Sequence, residues 1–373
     1  MGARRSRPPF ANAWFFPAAA LYAAVLLPLS VLSMLGLMPA LPGLVSPAGH
    51  AHEMLYGFAL AVVAGYLLGP QPRETTLILL GCWLLARIGF LLWPYSWLAT
   101  AAAALFAAGL AWKVVPRFLG AAKKWRNRVV APVVAALAAV SVVATLELAR
   151  PLSWLYREAL VLFSILLFFM GGRIIAPAVA GHAKHAGWQL QARVQPWLEG
   201  AVLILLLTAV LVVDWPLAGA RAAAGLALVV AGLLTALRLL RWQPWRCAGR
   251  GDLLMLALGY GWLAVGMVLL GGSWWHLGLP QTVALHALTV GALGSLTFTV
   301  MARTVQIQVR RDPCARRWIY RLGPLLSVAA LVRLTTPPGS LGQPLWWWLA
   351  ALCWAVAFGG LTLLLWQFRP GTK

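Results

Sequence analysis

Apolar runs long enough to cross a lipid bilayer recur along the whole 373-residue chain, and this repetition limits the possible folds more than any motif does. A helix needs about 17 to 25 predominantly apolar residues to span the hydrocarbon core. Such runs stand at approximately 14–37, 51–69, 75–92, 96–115, 129–148, 156–175, 197–213, 217–239, 252–271, 281–302, 318–334 and 345–366. The expected fold is an all-α polytopic transmembrane bundle of about twelve spans, since only helices or closed barrels satisfy their backbone in lipid. The eleventh run is short and bracketed by Arg321 and Arg333, so a re-entrant or tilted segment is an alternative there. Hydrophobic residues make up 62% of the chain and charged residues 10%, which excludes an ordinary soluble domain. The connections are brief, so residues 1–373 read as one integral membrane domain with short tails at 1–13 and 367–373.

The net charge of +22 is accounted for by its placement. With Arg4, Arg5 and Arg7 in the cytoplasm and twelve alternating spans, 25 of the 30 Lys and Arg fall on the cytoplasmic side. Arg150, Arg157, Arg221 and Arg333 fall outside, and Arg87 lies within a span. This is the positive-inside asymmetry, and it expects both termini in the cytoplasm. It also makes nucleic acid an unneeded partner, because the basic loops are short and lack any nucleic-acid-binding pattern. The first apolar run, about 24 residues long, exceeds a typical cleaved signal core and reads as a retained helix. Cys82, Cys247, Cys314 and Cys353 are isolated, with no disulfide framework and no Cys-x-x-Cys pair.

Chemistry concentrates at the start of the second run, in Gly49-His50-Ala51-His52-Glu53-Met54-Leu55-Tyr56-Gly57-Phe58. Ionisable groups at this depth are kept mostly where they line a cavity, hold a metal or relay protons. His50 and His52 are two apart and point roughly 200° apart on a helix, so different roles are expected of them. His52 aligns with Tyr56, and His50 with Met54 and Phe58. Glu53, Gly57, Ala61 and Gly65 form a small-residue stripe that admits a close backbone or a flat cofactor. His286, about five residues into the tenth run, carries a matching stripe of Ala287, Gly291 and Ser295. The expected topology puts His50, His52, His276 and His286 in one outer layer, and His182 and His185 in a cytoplasmic loop.

Imidazole suits haem iron and copper, and a thioether suits reduced copper. His52 and His286 are the leading haem or metal ligands, with Tyr56 beside His52. His50 is the next metal ligand, and Met54 on its face is a soft one. Glu53 suits either a hydrogen-bond partner for a ligating imidazole or a proton-carrying group. Arg87 needs a balancing group, for which Glu53, haem propionates and a helix end all qualify. From spacing alone three readings stand: a metal or haem site, a proton or substrate relay in a transporter, and plain helix packing.

Four ordered blocks bear on the choice: Trp14-Phe-Phe-Pro-Ala-Ala-Ala-Leu-Tyr22; His50 to Phe58 with Ala64-Gly-Tyr-Leu-Leu68; Gly171-Gly-Arg-Ile-Ile175; and Ala284 to Gly294 with Val300-Met-Ala-Arg303. In these the chain resembles the NnrS family of bacterial membrane proteins, over nearly its whole length. The resemblance implies haem, with copper as a second cofactor, in a multi-pass protein of the bacterial inner membrane involved in the nitric oxide response. A small diatomic ligand and a membrane electron donor are the partners it implies beside the lipid bilayer. Whether the protein is an enzyme stays open. The alternatives are a transporter, permease or metal-handling protein without redox activity, and a sensor or assembly factor. The chain departs from the family pattern on the expected cytoplasmic side, at Gly69-Pro-Gln-Pro-Arg-Glu74, Ala176-Pro-Ala-Val-Ala-Gly-His182 and Val305-Gln-Ile-Gln-Val-Arg-Arg311.

Overall fold

The computed structural model describes residues 9–39, 41–121, 128–146, 153–275, 278–336, 339 and 342–368. The N-terminal arginines, Arg150, His276 and Arg369 to Lys373 lie outside the described residues. Among those described, all regular structure is helical, and the one β-type pairing is an isolated bridge between Phe10 and Pro70. Helix α1 is Asn12–Met34. Helix α2 (Pro47–His52) runs through a π-helical stretch (Glu53–Ala59) into α3 (Leu60–Leu67). There follow α4 (Arg73–Leu92), α5 (Trp97–Ala121), α6 (Val130–Leu146), α7 (Ser153–His185), α8 (Pro196–Val212), α9 (Ala220–Arg241) and α10 (Gly251–Trp274). Helix α11 (Gln281–His286) passes through a second π-helical stretch (Ala287–Gly294) into α12 (Ser295–Arg310), and α13 (Trp318–Leu322), α14 (Pro324–Thr335) and α15 (Gln343–Gln367) complete the chain.

Eight helices among the described residues are long and apolar enough to cross a membrane: α1, α4, α5, α7, α9, α10, the continuous α11–α12, and α15. The protein is therefore a multi-pass membrane protein. Helices α6 and α8 are apolar but only 17 residues long. The second run is one helix through its π-helical stretch but is not among these eight, and the eleventh is divided at Gly323-Pro324, where proline removes a backbone donor. Twelve spans and cytoplasmic termini stay expectations.

Two helices run further than expected. Helix α7 continues past Arg173 and through Pro177, placing His182 and His185 in its last turn rather than in a loop. The alanines at 176, 178, 180 and 183 favour helix strongly enough to carry the chain past one proline, and Gly187, at φ +74°, adopts the left-handed conformation that ends helices. Likewise α12 extends to Arg310, so Arg303 lies within it rather than at its end.

The chain divides into two compact units, residues 1–152 with 362–373, and residues 153–361. In the first, α1 packs on α3 and on the π-helical stretch 53–59, α4 on α5, and α5 on α6. In the second, α9 packs most extensively on α10, and α10 and α14 both pack on the π-helical stretch 287–294. Glycines set these distances: a Cβ on Gly259 would stand 2.9 Å from Leu296, and one on Gly266 would stand 2.7 Å from Leu288. Small residues serve close helix approach in this way where lipid offers no hydrophobic drive.

Candidate functional site

The polar stretch is positioned by its helix start. Ser46 accepts a hydrogen bond from the backbone N–H of Gly49 at 3.1 Å, and Pro47 occupies the first helical position, where a missing N–H costs nothing. Helix α2 is thus fixed in phase, and His52 falls on its buried side. The π-helical stretch begins at the next residue. Such wider turns are rare and cluster at functional sites. Here one backbone carbonyl, that of Gly57, takes a donor from Trp83 Nε1 at 2.9 Å.

His52 and Glu53 are fully buried and Arg87 is 3% exposed. Glu53 gathers three donors. Its Oε1 meets His52 Nδ1 at 2.9 Å and also accepts from Arg87 Nη1, while its Oε2 accepts from the partly buried Tyr22 hydroxyl. A carboxylate only accepts, so Nδ1 of His52 carries the proton and Nε2 presents its lone pair. That Nε2 is buried and has no hydrogen-bond partner among the described residues. The imidazole is held by ring contacts as well: Phe90 stacks on it at 4.0 Å with an 8° interplanar angle, and Tyr56 meets it edge-on at 5.3 Å. Arg87 is thus balanced by Glu53.

His50 and Met54 are half-buried while His52 is enclosed, as their angular separation requires. The Glu53, Gly57, Ala61 and Gly65 stripe is buried, but side chains fill it. A Cβ on Gly57 would stand 3.1 Å from Arg87 Cδ, Arg87 Nη1 and Tyr22 Cε1, and one on Gly65 would stand 2.6 Å from the Phe16 ring. The stripe therefore lets Tyr22 and Arg87 reach Glu53, and it leaves no flat slot for a macrocycle along that face.

His286 belongs to the second unit and is partly exposed, with Nδ1 2.7 Å from the Thr282 carbonyl. As at His52, a π-helical stretch begins at the next residue, and a glycine follows five positions on, Gly291 here and Gly57 there. Gly291 is packed against Trp262, 2.6 Å from where its Cβ would be, so this stripe too serves helix packing.

Two polar clusters in the second unit account for sequence blocks that had no assigned role. Arg238, 4% exposed, pairs with Glu199 at 2.9 Å, and its guanidinium lies 4.7 Å from the Phe168 ring centroid and 5.0 Å from that of Trp242. Gly171 and Gly172 make the room: added Cβ atoms would stand 2.9 Å from Tyr260 and from Arg238 respectively. In the other cluster, Asp252 accepts from Arg250 through two bonds of 3.0 Å, from Arg303, and from the Cys314 thiol at 3.1 Å. Burial, and then the bond to Asp252, push the Cys314 thiol above its ordinary pKa. All four cysteines are free.

The residues around His52 fit an axial haem ligand in one specific respect: a buried imidazole with one nitrogen fixed by a carboxylate and the other without a partner is how metal-ligating histidines are built. Among the described residues no three His, Cys, Asp or Glu side chains form a group. A metal held by side chains alone needs such a group, whereas a haem brings four ring nitrogens and asks the protein for one or two axial donors.

No curated protein matches this chain. A profile of the family described as NnrS protein matches residues 12–370, which takes in both units and every cluster above. The chain belongs to the NnrS family.

Proposed function

We propose that this membrane protein of the NnrS family, a family linked to the nitric oxide response, binds haem through His52 Nε2 in the bacterial inner membrane and contributes to tolerance of nitrosative stress. The observation that carries the reading is the buried, partnerless Nε2 on an imidazole whose other nitrogen is tied to Glu53. Leaving such an atom unpaired in a low-dielectric interior costs about 1 to 3 kcal/mol, and a ligand to Nε2 removes that cost. When bound, a haem supplies a site for a small diatomic such as nitric oxide and a one-electron centre that a membrane electron donor can serve.

The chain's own residues hold that centre. Glu53 fixes the imidazole tautomer and rotation, Phe90 and Tyr56 fix its plane, and Trp83 and the apolar side chains around α4 keep water away. For copper the chain offers His50 and Met54, four residues apart and both half-buried, an imidazole and thioether pair that lacks, among the described residues, the further ligands a side-chain metal site needs, and no copper site is assigned there. His286, its Nδ1 likewise held by an acceptor, is the imidazole donor of the second unit.

A reduced-minus-oxidised spectrum with metal analysis on the wild type, His52→Ala and His286→Ala tests the reading. The wild type is expected to show haem bands that His52→Ala loses. A wild type without haem absorption in either redox state would sink the proposal.

A further inference from the structure

Glu53 is the buried group whose arrangement exceeds what holding one histidine requires. A carboxylate that accepts an imidazole Nδ1–H strengthens the opposite nitrogen as a metal donor, because negative charge on the acceptor pushes electron density through the ring. How strongly it does so depends on what else draws on that charge. Here the oxygen that holds His52 also accepts from Arg87, and the second oxygen accepts from Tyr22. Both donors are held in place by their neighbours. Gly57 leaves space that a Cβ would close to 3.1 Å against both side chains, and Trp83 packs edge-on against the Tyr22 ring at 5.4 Å. A structural ion pair needs Arg87 and Glu53 alone, whereas this cluster adds a tyrosine on one side and an otherwise partnerless imidazole on the other.

We propose that Tyr22 and Arg87 are positioning residues that act through Glu53 to set the donor strength of His52 Nε2, and so the reduction potential of the centre held there. The inference rests on the reading of His52 as a haem ligand and goes beyond it by assigning a sign to each neighbour. Removing the Tyr22 hydroxyl returns charge to Glu53, strengthens Nε2 as a donor and favours the oxidised centre. Replacing the carboxylate with an amide weakens Nε2 and favours the reduced centre. Each change is expected to move the reduced-to-oxidised ratio roughly tenfold, or about 59 mV for a one-electron couple.

The test is a spectroelectrochemical titration of the purified full-length protein as wild type, Tyr22→Phe and Glu53→Gln, with haem content measured in each and the ferrous iron–histidine stretch read by resonance Raman. The expected result is near-wild-type haem content in Tyr22→Phe with a lower potential and a higher stretching frequency, and in Glu53→Gln a higher potential, a lower frequency and a reduced haem content, since Glu53 also orients the ligating imidazole. Full haem content with unchanged potentials, or shifts of the same sign, overturns the tuning role while leaving the ligand assignment intact. Full haem content in His52→Ala overturns the ligand assignment and this inference with it. Should Glu53→Gln fail to accumulate, Tyr22→Phe decides alone: a downward shift supports the proposal and no shift or an upward one refutes it.

Discussion

Replacing Arg87 with leucine removes the only guanidinium that meets the fully buried Glu53 among the described residues, and the outcome separates a charge-balanced cluster from incidental packing. Breaking a buried ion pair on one side typically costs about 3 to 5 kcal/mol, because the other charge is left without compensation. Glu53 keeps its bonds to Tyr22 and His52, which places the expected cost near the lower end, about 3 kcal/mol. In a thermal melt of the detergent-solubilised protein followed by tryptophan fluorescence, that is a fall of roughly 4 °C for a chain of 373 residues. The decisive comparison is the double variant Arg87→Leu with Glu53→Gln. It leaves no stranded charge, and the amide oxygen can still accept from the donors that Glu53 held, whereas a leucine would strip both Tyr22 and His52 of their acceptor, so it should melt above Arg87→Leu alone. An Arg87→Leu protein as stable as wild type, or a double variant less stable than the single one, would refute the reasoning.

The remaining expectations concern packing and pH. Gly65→Ala puts a methyl 2.6 Å from the Phe16 ring and should destabilise the first unit by about 1 to 3 kcal/mol, whereas Gly81→Ala, which meets nothing within 4 Å, should not; paired thermal melts check this. Gly172→Ala pushes into Arg238 and should lower stability or yield, with the loss reduced in an Arg238→Leu, Glu199→Leu background, as a double-mutant cycle would show. Cys314 should react slowly with iodoacetamide at neutral pH in the folded protein and quickly after unfolding, by mass spectrometry, since its raised pKa keeps the thiol protonated. The sign of its linkage follows from that shift. Stability from the Cys314 thiol is fully present below the ordinary thiol value of about 9 and is lost as pH rises through the higher folded value, so Cys314→Ala should flatten the alkaline limb of the stability profile.

Much of this was written in the chain. Apolar runs alone predict an all-helical membrane protein, because helical length against bilayer thickness is a one-dimensional constraint. The separation of His52 from His50 follows from helical angle, and the enclosed His52 and half-buried His50 and Met54 agree with it. What spacing could not supply was three-dimensional choice. Arg87 had several possible partners, and only the packing of α4 against the π-helical stretch selects Glu53. Tyr22 sat in a recognisable block without a role, since nothing in sequence brings it to a residue 31 positions away. The small-residue stripe was equally suited to a flat cofactor or to large neighbours, and the space is taken by Tyr22, Arg87 and Phe16. Helix ends differ from the apolar runs where an alanine-rich segment carries α7 past Pro177.

The central claim is that His52 Nε2 is a haem ligand, and the most direct measurement is haem per chain, by pyridine haemochromogen assay, in purified wild type, His52→Ala and His50→Ala. The account predicts haem in the wild type and in His50→Ala and its loss from a folded His52→Ala. Full haem content in His52→Ala, or none in the wild type, would contradict it.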